Sequence, residues 1–281
     1  MTDLRRRMPI PTPRLAIVGL IVFVAACHRQ QPTITPGPAP SRSGTIPPPA
    51  STVAAITSSP TLIRAVHDRY ASSWFRTLTF TQKTTVRLPS GGEIVQTYYE
   101  SAQMPGRLRI DTDLQSKSGI LFTRDSSFRF SAGKLVGTDE SLNELLVLGF
   151  DIYSQPVTRT ESILRRLGFD LNRFHESMWQ GKPVYIVGAV RGDTTSKQFY
   201  IDRDRLLFVR VIESTPRGRA DTRYNDYVQY GGGWVATTVE QYVNGKRTVL
   251  EQYSGVRVNP TISDALFDPK QWATAPHWAR K

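Results

Sequence analysis

One cysteine, four histidines and a closely spaced pair of aspartates are the residues of this 281-residue chain whose types could carry chemistry. Cys27 is the only thiol, so the chain can build neither an internal disulfide nor a thiolate metal site. His28, His67, His175 and His277 lie far apart, and no His-Glu-x-x-His pattern stands among them. Asp111-Thr112-Asp113 begins like a calcium loop, but Ser116 occupies the glycine position of such a loop and Phe122 its glutamate position, so calcium is rejected. A Gly-x-Ser-x-Gly elbow, a phosphate loop and a dinucleotide glycine pattern are all missing. The chain is therefore read as a non-enzyme, with no cofactor and no metal.

The surroundings of Cys27 give its thiol a different chemistry. Arg5, Arg6, Arg7 and Arg14 precede the apolar run from Leu15, which ends in small residues and the cysteine. About twelve apolar residues are too few for a bilayer core of roughly 30 Å, which needs about twenty, and the pattern reads as an export signal. Val24-Ala25-Ala26-Cys27 resembles the lipobox of bacterial lipoproteins. That resemblance implies a signal peptide over residues 1–26, a diacylglyceryl thioether on the Cys27 sulfur and acylation of the new amino terminus. The competing reading is an ordinary signal peptide with a chance cysteine. From His28 to Pro60 eight of 33 residues are proline, with almost no large apolar groups, so residues 27–60 are read as a lipidated cysteine and a disordered tether. The tether would span on the order of 30–40 Å as a flexible coil. His28 is not the aspartate associated with inner-membrane retention, which favours an outer-membrane anchor facing the periplasm.

Charge agrees with a membrane address. Removing the four arginines and one aspartate of residues 1–26 from the 36 basic and 24 acidic residues leaves a net charge of +9, spread thinly along the chain. Scattered positive charge attracts anionic head groups in general without making a site. No basic-aromatic recognition motif accompanies it, and nucleic acid is not expected as a partner.

Residues 61–281 read as one domain. Leu62, Ile63, Val66 and Tyr70 share one face of an opening helix over 61–71. The period then changes to two: Trp74, Leu78, Phe80, Val86 and Leu88 alternate with Thr77, Thr79, Thr81, Lys83 and Thr85 in a long strand with one wet face. Shorter strands follow to Leu135–Val136. Leu142, Leu145, Leu146 and Val147 then recur at helical spacing behind Asp139, with Gly149 as a stop. Thr158 and Glu161 form a capping-box pattern ahead of Ile163, Leu164 and Leu167, and Gly168 closes that helix. Strands resume to the end, with Asn244-Gly245 as the strongest hairpin signal. The fold class expected is mainly β (α+β): an incomplete, strongly curved antiparallel β-barrel of about ten or eleven strands, with helices covering the concave face. A curled sheet with an apolar inner side fills that space with its own side chains, with a covering helix or with a ligand.

The order of opening helix, long first strand, MPGRLRID, central helical pair, YNDYVQYGGGW and a terminal ALFDP resembles the LolA/LolB family of lipoprotein-localisation factors. The resemblance spans nearly all of residues 61–272 and implies a half-barrel that holds acyl chains and catalyses nothing. It makes Leu108, Ile110, Ile120 and Phe122 of the strands, with Leu142, Leu145, Leu146, Ile163, Leu164 and Leu167 of the helices, the candidate cavity and lid. In the family's soluble carrier an arginine before a proline ties the lid to the barrel; here that place is taken by Met104, before Pro105. Arg107 and Arg109 are the candidate replacements for the latch, and an exposed-strand role is the alternative for both. The partners implied are acyl chains of a lipid or lipoprotein, the membrane through Cys27, and other envelope transport proteins. Two functions remain open on the sequence: a tethered acceptor or transfer protein for acyl chains, or a structural or regulatory envelope lipoprotein that binds a protein partner with its cavity self-filled.

Overall fold

A computed structural model describes residues 55–280; Cys27 and the stretches read above as signal peptide and tether, up to residue 54, lie outside the described residues. Helix α1 (Ser59–Tyr70) opens two residues earlier than the sequence suggests, because Ser58 caps it, accepting from the Thr61 amide. Leu62, Ile63, Val66 and Tyr70 form its buried face.

Among the described residues thirteen strands make a single antiparallel sheet. The first six are β1 (Thr77–Arg87), β2 (Glu93–Gln103), β3 (Arg107–Asp113), β4 (Ser118–Thr123), β5 (Ser126–Ser131) and β6 (Lys134–Glu140). Beyond helix α2 (Val157–Arg166) come β7 (Phe174–Trp179), β8 (Lys182–Val187), β9 (Gln198–Asp202), β10 (Phe208–Thr215), β11 (Gly218–Tyr230), β12 (Gly233–Val243) and β13 (Lys246–Val258). The first strand and the last pair with each other, so the order runs β6 to β1 and then β13 back to β7. β6 and β7 are the two edges and do not meet, which leaves the barrel open. The count exceeds the expected ten or eleven. The short runs around Phe128–Phe130 and Leu135–Val136 hold few apolar residues, yet they form full strands between turns at Arg124, Ala132 and Gly133, all with positive φ.

Two glycine clusters show why the sequence bends where it does. Asn244 and Gly245 both have positive φ, as a two-residue hairpin requires. At the β11–β12 turn a Cβ on Gly232 would lie 2.4 Å from the Ser73 carbonyl oxygen, and one on Gly233 2.6 Å from the Phe75 ring. The hairpin tip is therefore pressed against the segment that links α1 to β1.

The central helical pair departs from expectation in detail. Asn143, not Asp139, starts the first, its side chain accepting from the Leu146 amide at 2.8 Å; Asp139 lies in β6 and pairs with Arg129. Gly149 is not a stop. The chain runs through it as a π-helical turn (Leu146–Phe150) that tightens into a 3-10 turn (Asp151–Tyr153), with Leu145 folded back to within 2.9 Å of where a Gly149 Cβ would stand. The capping box is also corrected. α2 starts after Pro156 with no side-chain cap, Thr158 is already inside it, and Glu161 pairs with Arg165 one turn on.

Most of the buried side chains form one core between the concave sheet face, α1, α2 and the π-helical turn. A second, smaller core lies on the convex side of β3 to β5, where Leu266, Phe267 and Trp272 of the C-terminal segment cover Leu121 and Phe130. That segment also explains why Thr79, expected on a wet face, is buried: the wet face is strapped over.

Candidate functional site

The concave face is built by alternation. Leu108 stands opposite Phe122 and Ile110 opposite Ile120 across β3 and β4, one apolar row on the inner side. Leu108, Leu146, Ile163 and Leu164 are buried in the main core, and Ile110, Phe122, Leu142, Leu145 and Leu167 pack half-buried against it. Ile120 is buried beside this cluster. The sheet row and the lid thus share one apolar interior, with Leu164 fully buried.

Neither arginine weighed as a latch bonds the lid. Arg109 points to the convex side, where its guanidinium forks onto Asp111 at 2.8 Å twice, donates to the carbonyls of Leu266 and Trp272, and lies 3.8 Å over the Trp272 ring. Arg107 bonds Gln103 and Asp264. The reason is parity: residues 107 and 109 alternate with Leu108 and Ile110, so they face the strap rather than the cavity. Asp111, whose hydrogen bonds from Arg109 and His277 overcome the effect of burial, has its carboxyl held below the usual range. His277 is thereby accounted for as a structural partner of Asp111 at 3.0 Å.

Other groups fasten the lid. The Asp151 carboxylate accepts from the Gly106 amide at 3.1 Å, joining the π-helical segment to the very turn that follows Met104. Tyr153 stacks on Trp74 at 3.9 Å and accepts from the Phe208 amide at 2.9 Å. Lys197 joins Glu144 of the lid to Glu213 of β10. Arg159 and Arg166 of α2 both reach Asp125 in the β4–β5 turn. Burial pushes Asp151 up to about 7, against the Gly106 hydrogen bond, and Glu144 up to about 7 despite Lys197. Between lid and rim a cleft of about 720 Å³ opens, with Met104, Leu142, Leu146 and Ile163 as its apolar wall and Arg107, Arg124 and Arg159 at its edge.

The inner face also holds polar groups that the sequence analysis passed over. Gln82, Thr84, Glu100 and Glu251 are all buried on the concave rows of β1, β2 and β13. The signal was available: Glu100 shares strand parity with Tyr98 and Ala102, and Glu251 with Val249 and Tyr253. Among the described residues no group of three His, Cys, Asp or Glu is placed to hold a metal ion.

The fold is LolA-like. A domain named for outer-membrane lipoprotein sorting, from Vibrio parahaemolyticus, superposes with a TM-score of 0.53 over 76% of this chain and 97% of that one, at 10% identity. A LolA superfamily protein from Nitrosomonas europaea gives 0.50 over 76% and 98% at 13% identity. A DUF1329 family protein from Desulfovibrio piger gives 0.50 over 75% and 95% at 12% identity. No family model matches the chain, and no curated protein matches it in sequence.

Replacing Asp151 by alanine is expected to loosen the lid without unfolding the sheet. The Gly106 amide would lose its acceptor, a change worth about 1–2 kcal/mol. Hydrogen exchange should accelerate over residues 144–167 while β1, β2 and β13 keep their protection; equal acceleration in both would mean that lid and sheet open as one unit.

Proposed function

We propose that this chain is a lipid-anchored, non-catalytic envelope protein, held through Cys27 at the periplasmic face of the outer membrane, whose half-barrel takes up acyl chains of a lipid or lipoprotein. The observation that carries this reading is the single apolar core shared by an open concave sheet and a helical lid fastened by a few polar contacts. The neighbour named for lipoprotein sorting makes an acylated protein the favoured cargo. An anchor of two or three chains holds a protein effectively for good, which suits an acceptor or a local transfer step better than a soluble shuttle.

Magnitudes select the part of the lid that gives way. A sixteen-carbon chain gains roughly 12 kcal/mol on leaving water, at about 0.8 kcal/mol per methylene. Uncovering Ile163 and Leu164 of α2, and Leu167 just after it, costs roughly 1.5–3 kcal/mol for each side chain. The two ion pairs of α2 to Asp125 are half exposed and worth about 0–1 kcal/mol each. That gain exceeds the cost of displacing α2 for a chain that arrives from water, whereas a chain drawn from a membrane brings little of it and must be matched by the cavity that α2 vacates. The segment from Leu146 to Tyr153 buries six apolar side chains besides its two backbone bonds, and stays. The filled concave face also favours the second reading, a lipoprotein whose cavity stays closed on its own side chains and which binds a protein partner.

Native mass spectrometry of the chain from residue 27 with Cys27→Ser, purified from an envelope-containing host and then extracted with organic solvent, separates the two. Co-purified acyl lipid near one per protein is the expected result. A clean apo mass with no displacement of a fluorescent fatty acid would leave the partner-binding reading.

A further inference from the structure

Three of the seven buried side-chain nitrogen and oxygen atoms that have no hydrogen-bond partner among the described residues belong to one short stretch: Ser154 Oγ, Gln155 Nε2 and Thr160 Oγ1. This stretch joins the 3-10 turn that ends at Tyr153 to α2. Of the three residues, Gln155 lines the cleft between lid and rim, and it is 3% exposed. A buried amide N–H without an acceptor is costly, and a native structure keeps one where something else completes it. Methionine would fill the same length without that cost.

The unmatched groups around Gln155 are donors as well. Three hydrogen bonds tie it to the rim: the Gln155 amide donates to the Asp151 carbonyl at 2.8 Å, the Gly106 amide to the Asp151 carboxylate at 3.1 Å, and the Arg124 amide to the Gly106 carbonyl at 2.6 Å. Among the cations of the lining, Arg107 is paired with Asp264 and Arg159 with Asp125. The exposed Arg124 guanidinium has no ion partner among the described residues. α2 starts at the same wall: its cap residue Pro156 lines the cleft and no side chain caps the helix, so the positive end of its dipole is left open there. Asp151 is the lining carboxyl without a cation, and burial pushes it up to about 7, so in mildly acid solution it adds little negative charge. An anionic oxygen group answers all of these features. Carboxylate and phosphate oxygens accept from an amide N–H, are favoured at a helix N-terminus and pair with a guanidinium.

We propose that Gln155, the start of α2 and Arg124 form a head-group site for an amphiphile whose chain ends in an anionic oxygen group, a carboxylate or a phosphate, with the chain lying along Met104, Leu146 and Ile163. This rests on the acyl-binding reading and adds the class of head group to it. Gln155 stands at the joint between the segment that stays and the helix that gives way, so the head group is held while α2 moves.

The test is titration calorimetry at pH 6.5 on the chain from residue 27 with Cys27→Ser, using decyl phosphate, decanoate, decanol and inorganic phosphate, the amphiphiles below their micelle concentrations. At least one of the two anionic amphiphiles is expected to bind about tenfold more tightly than decanol, and the tighter of them names the source of the head group. Inorganic phosphate is expected not to bind measurably. Gln155→Met should cut the preference to about threefold or less without lowering the melting temperature, since the amide that it removes has no partner. Arg124→Asn, which tolerates the positive φ of this position, should cut it similarly. Arg257→Asn removes an equal charge from an exposed position on β13 and should leave the preference intact. Equal losses in Arg124→Asn and Arg257→Asn, a preference that survives Gln155→Met, or inorganic phosphate bound as tightly as decyl phosphate overturns the head-group site. Decanol binding with no preference for either anion overturns that site alone. Failure of every amphiphile to bind overturns the acyl-binding reading and this site with it.

Discussion

Replacing Arg109 by alanine is expected to destabilise the domain by about 3–5 kcal/mol in urea denaturation, the range for breaking a buried ion pair from one side. Arg109 is 1% exposed and Asp111 is 0% exposed, so the variant leaves a carboxylate in a dry site with only His277 beside it. The carbonyls of Leu266 and Trp272 lose a donor in the same step, and the Trp272 ring, stacked on Phe130 at 4.3 Å, loses the cation above it. Lysine cannot fork onto Asp111 and reach two carbonyls at once, so Arg109→Lys should recover only part of the loss. The joint replacement Arg109→Met with Asp111→Leu should recover part of the loss, because it leaves no carboxylate unpaired although the His277 ring nitrogen loses its partner. A loss below about 0.5 kcal/mol for Arg109→Ala would show that the strap holds without this pair. Asp111 sets a pH signature as well. Its folded pKa is depressed, so the stability it contributes is present above about pH 4 and disappears as the pH falls through the folded value.

The same pair shows where the sequence was readable and where it was not. Leu108 and Ile110 alternate with Arg107 and Arg109, so the strand's period of two sets the arginines on the opposite face, a parity that the latch reading of Arg107 and Arg109 did not use. What it could not supply was a cover for that side. The covering residues, Leu266 to Trp278, come more than 140 positions later in a segment with no periodicity, and only the folded chain brings them over β3. The Asn244-Gly245 turn was legible because its signal is local, whereas the pairing of β1 with β13 that joins the two halves of the sheet has no local signal. The lid was legible as apolar and helical, but its π-helical form was not, because periodicity does not distinguish an α-turn from a π-turn over five residues. The lid fastenings at Asp151 and Tyr153 join residues 45 and 55 positions apart and have no local signature. Glu100 and Glu251 are a different case. Their parity marks them as inward-facing, but a charged residue in a strand reads as wet until the curvature of the sheet is known.

Lowering the pH from 8 to 6 is expected to raise the melting temperature of the domain, on the order of 5–10 °C, contrary to the habit of reading acid as denaturing. Burial pushes Asp151, Glu144 and Glu251 up to about 7, and Glu100 well above the usual range. For such groups the folded state keeps a proton that the unfolded chain releases near pH 4 to 4.5. Their contribution is thus whole below that value and is lost as the pH rises through about 7. Between pH 6 and 8 each of the three groups near 7 changes stability by about 1 kcal/mol, and a domain of this size moves roughly 2–4 °C per kcal/mol. Lys197 offsets part of the Glu144 share by favouring its charged form. Asp113 and Asp221 act in the opposite sense, since hydrogen bonds hold both below the usual range despite burial, but their stability is lost only when the pH falls below about 4. The maximum should therefore lie at about pH 4 to 4.5. Asp151→Asn keeps an acceptor for the Gly106 amide while removing one of the three titrations, so it should reduce the pH 6 to 8 slope by about a third without lowering the melting temperature at pH 6. A melting temperature that does not change between pH 6 and 8 would mean that water reaches these carboxylates and that the lid is open far more often than its packing implies.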